Sequence, residues 1–186
     1  CKPGGRIGII LPNGYLGNRS QTYRVFREWL LRNVKVAAIC SFPRFTFKTS
    51  GADVSASVLF VEKRATPLTS IQDESFEFAV EMIENLGWEA GKKKATPLYR
   101  RNQSDGSYIV DASGELIVDS DFEGALERIR NSNAADYFDW LHEGHSFNGE
   151  AAERSWSVPI KEVYSDQDLT LDPKRYCKKF VQLREA

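Results

Sequence analysis

Arg6-Ile7-Gly8-Ile9-Ile10-Leu11, Val34-Lys35-Val36-Ala37-Ala38-Ile39-Cys40-Ser41 and Val54-Ser55-Ala56-Ser57-Val58-Leu59-Phe60-Val61-Glu62 are three short apolar runs, and what separates them decides the fold. The first follows a Pro3-Gly4-Gly5 turn and ends at Pro12-Asn13-Gly14, as a buried parallel strand does. Between the first and second runs, Gln21 to about Asn33 has helical spacing, with Ser20 placed as its N-cap. Val25 with Trp29 and Phe26 with Leu30 are i, i+4 pairs that would form its apolar face. Arg24, Arg27 and Glu28 would then face water. The second run is rich in β-branched residues (Val34, Val36, Ile39), so strand, helix and strand form a right-handed crossover of an α/β sheet. No helix-length segment separates the second run from the third, so the third can pair antiparallel with its neighbours.

Composition narrows the class. The chain has 186 residues, 41% hydrophobic and 27% charged, within the ordinary range of a soluble globular protein. No apolar run approaches the ~20 residues of a membrane span, and the N-terminus carries no signal-peptide pattern. Cys1, Cys40 and Cys177 form no C-x-x-C pair, which argues against a disulfide framework or a cysteine zinc site and for a cytoplasmic location. The net charge of −1 lacks the basic surplus of a free-standing DNA-binding module. Local basic clusters stand at Arg24, Arg27 and Arg32, at Lys92 to Lys94, at Arg100 and Arg101, and at Lys174, Arg175, Lys178 and Lys179. Each reads either as a solvated surface or as a phosphate contact.

Beyond Arg64 the pattern changes. Phe76, Phe78, Val80 and Met82 alternate with residues that include Glu77 and Glu81, which predicts a strand. Residues 89 to 120 are polar and glycine-punctuated, with a hairpin expected around Ala112-Ser113-Gly114. Phe122 to Asn131 and Ala134 to Leu141 read as helices. Pro159 and Pro173 predict extended tail segments that end in turns.

Several motifs fail on context. Gly4-Gly5-x-x-Gly8 precedes a strand, whereas a dinucleotide fingerprint follows one, so it reads as a tight turn. Asp119-Ser120-Asp121 begins like a calcium loop, but Arg130 stands where the bidentate glutamate belongs, leaving an acidic helix N-terminus. His142-Glu143-Gly144-His145 has i, i+3 spacing where a zinc-protease helix needs i, i+4. Phe42-Pro43-Arg44-Phe45-Thr46-Phe47 is more informative. It places three aromatics beyond the carboxyl end of an inner strand, where ligand sites of α/β sheets lie. An enzyme that modifies a base must extrude it and hold it on a flat apolar surface. Core packing is the competing reading for any one of these rings.

Four segments taken in order carry a resemblance: Leu11-Pro12-Asn13-Gly14-Tyr15-Leu16; Phe47-Lys48-Thr49-Ser50-Gly51 leading into Ser55 to Lys63; Glu84-Asn85-Leu86-Gly87-Trp88; and Leu171-Asp172-Pro173-Lys174-Arg175-Tyr176. Together they resemble the N6-adenine DNA methyltransferases, in particular the modification subunit of type I restriction systems and the methylase part of fused restriction-modification enzymes. The similarity is dense over residues 1 to 64, weaker at 76 to 90 and clear again at 156 to 176.

The resemblance implies an α/β fold: the C-terminal half of a Rossmann-like methyltransferase sheet, mixed, its last strand inserted antiparallel between the two before it, with an α+β extension. The implied organisation is residues 1–64 for the half-sheet, 65–155 for the extension, and 156–186 for a tail leading toward a target-recognition region. It implies that Phe47, with Phe45 as runner-up, packs on the extruded adenine. It implies S-adenosylmethionine as methyl donor of the intact enzyme. Double-stranded DNA, a specificity subunit or domain and a restriction subunit are the implied partners. The family's acidic, glycine-containing cofactor motif and its N-P-P-[FY] tetrad do not occur here. The chain is therefore expected to begin within an enzyme, to carry no catalytic residue, to bind no cofactor alone and to be inactive alone. The alternatives are a methylase relic that docks on a specificity subunit or DNA, and an unrelated α/β interaction domain. With upstream strands missing, the first strand's outer edge is expected to be covered by another chain or by residues after 64.

Overall fold

A computed structural model of the chain describes residues 1–71, 74–89, 94–141 and 155–176. Five strands form one mixed sheet: β1 (Arg6–Pro12), β2 (Val34–Ser41), β3 (Ala56–Lys63), β4 (Glu77–Met82) and β5 (Ser155–Pro159), in the order β1-β3-β2-β4-β5. β3 runs antiparallel between β1 and β2, with Ile9 opposite Leu59 and Ile39 opposite Leu59 on its other side. This is the arrangement expected from the missing crossover between the second and third apolar runs. β4 pairs parallel with β2, and β5 pairs antiparallel with β4. The sheet thus continues past residue 64 into both later segments of the chain.

The glycine turn works as its position predicts. Gly4 takes a left-handed φ of 70°, its N–H bonds Lys63 O at 2.8 Å, and Lys63 N–H returns to Gly5 O at 2.9 Å. The turn therefore clamps the start of β1 to the end of β3.

β1 departs from its expected burial. Ile9 and Ile10 point to opposite faces, as successive strand residues must, yet they are 40% and 53% exposed. Among the described residues no strand pairs with the outer edge of β1. β2 is the centre of the core: Val36, Ala37, Ala38 and Ile39 have no exposed surface.

Helices cover both faces of the sheet. After β1 come α1 (Asn13–Gly17) and α2 (Gln21–Asn33), and later α3 (Phe122–Arg130), α4 (Ile160–Ser165) and α5 (Pro173–Tyr176). Phe78 in β4 meets Tyr176 of α5, whereas Glu81 meets Arg128 of α3. Residues three apart on a strand face opposite ways, so α5 and α3 lie on opposite sides. The segment before α5 also holds α2, through Asp168 O and Arg27.

Several expectations are corrected. α2 buries Arg27, Leu30 and Leu31, while Val25 and Trp29 are 51% and 59% exposed. Arg27, expected in water, has no exposed surface. Its guanidinium donates to Asp168 O at 2.8 and 3.1 Å, to Tyr15 O at 3.0 Å and to Asn18 O at 2.9 Å. Ser20 occupies the N-cap position of α2 without a side-chain capping bond. β4 is a strand as expected, but Glu81 is fully buried, because β4 lies inside the sheet with helices on both faces. Residues 134–141 form two 3₁₀ turns, Asn133–Tyr137 and Asp139–Leu141, rather than one helix. Pro159 ends β5, but α4 follows at once; Pro173 opens α5, where its fixed φ and missing N–H cost nothing.

Residues 97–120 form an irregular ribbon, with Tyr99 opposite Val118, Arg101 opposite Tyr108 and Val110 opposite Leu116. Its tip is the expected hairpin at Ala112 to Gly114, where Gly114 has φ 84° and bonds back to Asp111 O. Asp121 stands at the start of α3, and its carboxylate accepts from the N–H groups of Glu84 and Asn85, both at 2.8 Å. It therefore ties the end of β4 to α3. His142 and His145, and the basic residues Lys92, Lys93, Lys178 and Lys179, lie outside the described residues.

Candidate functional site

β1, β2 and β4 run in one direction, so Pro12, Ser41 and Met82 mark a single carboxyl rim. In open α/β sheets ligands bind at that rim. Here it holds two structural ties and a run of aromatic rings.

The ties join the exit of β1 to the entry of β3. Asn13 N–H bonds Ser55 O at 2.8 Å, and the Ser57 hydroxyl donates to Asn13 Oδ1 at 2.8 Å. Ser57 pairs with Ser41 across β2 and β3. The Ser41 hydroxyl is buried and has no hydrogen-bond partner among the described residues. Such groups are uncommon in native interiors.

The aromatic run begins where β2 ends. Phe42 N–H bonds Ala56 O at 3.0 Å, fixing the mouth of the loop. The Phe42 ring meets Phe47 edge-on at 5.8 Å and Phe122 of α3 at 6.1 Å, and Phe122 stacks with Trp88 at 6.5 Å. Two distant segments, residues 42–47 and 88–122, thus build one aromatic wall beyond the strand ends. The sequence reading found the loop phenylalanines. It missed Trp88 and Phe122, and only the aromatic start of α3 hinted at the latter.

Phe47 and Phe45 are both half-buried and differ in surroundings. Phe47 touches Phe42 with one edge, and its carbonyl accepts from Ser50 and Ala52 N–H, which winds the loop around it. Phe45 has φ 70°, unusual for a side chain of this size. The guanidinium of Arg44 lies 4.7 Å, and the ammonium of Lys48 4.8 Å, from the centre of its ring.

Behind the rim, the Glu81 carboxylate accepts from Arg128 Nε at 3.1 Å and Nη2 at 3.0 Å. Cys40 stands opposite Glu81, and burial, with that carboxylate, pushes its thiol up to about 12. Cys40 is therefore a core residue without nucleophilic character. Among the described residues no cluster of His, Cys, Asp or Glu could hold a metal, and no helix is long and apolar enough to cross a membrane.

A mixed α/β sheet with one strand inserted antiparallel between parallel neighbours is the type of sheet found in α/β methyltransferases. The chain belongs to the N-6 DNA methylase family, whose family model matches residues 1–184. A structure described under complex assembly and conformational transition of the type I R-M system is 24% identical, with a TM-score of 0.51, and the match covers 91% of this chain and 28% of that one. The type I restriction enzyme EcoKI M protein is 16% identical with a TM-score of 0.49, covering 91% and 34%. A modification subunit of a putative type I restriction enzyme from Vibrio vulnificus YJ016 is 17% identical with a TM-score of 0.45, covering 92% and 28%. At these identities the first supports the fold alone. The chain spans about a third or less of these proteins. No curated protein matches the chain.

Proposed function

We propose that the chain is the C-terminal part of the catalytic domain of a DNA methyltransferase that moves a methyl group from S-adenosylmethionine to adenine N6 in a restriction-modification system. Family membership supports the chemistry. The observation that carries the assignment to this part of the domain is the insertion of β3 between β1 and β2, with the Phe42–Phe47 loop at its entry. β1 adds to it: Ile9 and Ile10 stay exposed on opposite faces, and among the described residues no strand pairs with its outer edge, as for a strand that further strands and cover complete.

Within that reading Phe47 is the flat surface that receives the extruded adenine. Phe45 is the weaker choice, since cations already lie over its ring. The cofactor belongs to other residues of the parent protein. The loop leaving β1 carries no acid before α2, and the one acid in the loop leaving β2, Asp53, faces Arg44. The Asn13 and Ser57 polar groups are engaged with each other. This donor set does not fit S-adenosylmethionine, so the isolated chain is inactive, and no step of the transfer is drawn through it. Double-stranded DNA is the substrate, a specificity subunit or domain is the partner, and a restriction subunit is the further candidate.

Phe47→Ala in the full-length protein tests the reading. Base–aromatic stacking is worth about 1–3 kcal/mol, or about ten- to a hundredfold in kcat/KM for methylation of a cognate duplex. Phe47→Trp retains much of the activity. Phe47 is half-buried with one edge contact, so its truncation costs about 2 kcal/mol of stability, below the roughly 3–5 kcal/mol of a core phenylalanine. A large loss of stability with unchanged activity per folded molecule would end the assignment.

A further inference from the structure

We propose that Arg44 and Lys48, held over the ring of Phe45, form a two-cation site for the phosphodiester backbone of a nucleic-acid strand at the carboxyl rim. The proposal rests on the reading of Phe47 as the base-holding ring and adds the contact that holds the rest of that nucleotide.

The loop is ordered by its own hydrogen bonds. The Thr46 hydroxyl donates to Pro43 O at 2.6 Å, Lys48 N–H to Phe45 O at 3.0 Å, and Ala52 N–H to Phe47 O at 3.1 Å. Within this winding Phe45 takes φ 70°. A bulky residue in that region is held there by its surroundings, and such positions cluster at functional sites. One result is that both neighbouring cations lie within 5 Å of the same ring centre. A ring face attracts a cation through its quadrupole, so the Phe45 ring offsets part of the cost of holding two like charges near one residue.

Charge and chemistry then select the ligand. The acid that faces the pair is Asp53, 3.8 Å from Arg44 Nε, with both side chains largely in water. An exposed pair at that distance is a weak tether, so the loop keeps a concentrated positive field. A guanidinium grips two oxygens of one phosphate, and an ammonium meets a neighbouring phosphate as a mobile point charge. Arg44 and Lys48 are both exposed, which suits a strand that passes over them. Phe47, two residues on, faces the adjoining aromatic wall. A ring for the base beside cations for the phosphate matches a nucleotide unit. Arg44 and Lys48 are the binding groups; Phe45 is a positioning residue.

The test uses the full-length protein and a labelled 30-base-pair duplex containing adenine, with affinity measured by fluorescence anisotropy between 50 and 200 mM KCl. Each phosphate contact contributes about 0.9 to the slope of log affinity against log salt. Arg44→Gln and Lys48→Gln should each lower the slope by about 0.9, and the double variant by about 1.8. Lys161→Gln, a charge removed from exposed α4, should leave it unchanged. Phe45→Leu keeps both charges and should still lower the slope, and Phe45→Tyr should restore it. A structural role for Phe45 would change stability without changing the slope. An unchanged slope in the double variant overturns the proposal. So does a wild-type protein with no salt-dependent DNA binding. In a separate arm, inorganic phosphate that binds wild type but not the double variant, with the DNA slope unaffected, would make this a free-phosphate site and overturn the nucleic-acid assignment. Variants that show the slope changes, with a wild-type protein that methylates no adenine, would sink the methyltransferase reading and leave the phosphate site standing; wild-type methylation with unaltered variant slopes would do the reverse.

Discussion

Arg27→Ala should be among the most destabilising single changes in the chain, although Arg27 lies on a helix turn with two other charged residues. Its side chain is fully buried and makes four hydrogen bonds to three main-chain carbonyls. Burial lowers its pKa, with Asp168 and Asp166 opposing that shift. Truncation strands the oxygens of Tyr15, Asn18 and Asp168 and opens the space of the stem. At about 1 kcal/mol for each orphaned acceptor the loss is about 3 kcal/mol before packing is counted. Urea unfolding followed by tryptophan fluorescence should therefore move its midpoint down by about 1–1.5 M, for a slope of about 2–3 kcal/mol per M. Arg27→Lys keeps the charge but cannot span three acceptors with a planar fork, so it should recover only part of the loss. Arg24→Ala is the control. Arg24 makes one exposed bond, to Gln167 O at 2.8 Å, and should cost about 0.5 kcal/mol. If Arg27→Ala shifts the midpoint no further than Arg24→Ala, the carbonyl cluster does not hold α2 to the tail.

Two further predictions concern the core behind the rim. Arg128→Met deprives the buried Glu81 carboxylate of a bidentate partner and should cost about 3 kcal/mol, whereas Glu81→Gln combined with Arg128→Met should recover much of it; equal losses in the single and double variants would refute the pairing. Cys40 should resist alkylation at pH 8 until urea unfolds the chain, as mass mapping of the modified cysteine would report. Burial lifts the folded thiol from its ordinary 9.0 to about 12, so its contribution to stability is complete below pH 9 and is lost as pH rises toward 12. A Cys40→Ala variant with the same alkaline loss would refute that share.

The strands around the site were legible because each apolar run carried its own stops. Pro12-Asn13-Gly14 ends β1, and the absence of a helix-length spacer before β3 left it free to run antiparallel. The phenylalanines of the β2 loop stood out because three rings in six residues are unusual outside a core. Trp88 and Phe122 did not stand out. Their place in the aromatic wall depends on Asp121 folding the end of β4 against α3, which no local pattern announces. The paired prolines misled in part, since proline also opens a helix.

What the sequence determined by itself is the run of strands β1 to β3, the helix α2 between them and the loop that carries Phe45 and Phe47. Those follow from periodicity and turn chemistry within some ten residues of each position. Only the tertiary structure decided which side of α2 is inside and which carboxylate enters the core. The i, i+4 pattern offered the stripe of Val25 and Trp29, but the tail arrives on the side of Arg27, from 141 residues away, with bare carbonyls to satisfy. Glu81 is buried because β5 and α3 close over β4, and Arg128 comes with them. Burial is set by what packs against a residue, and for these two the packing partners lie far along the chain.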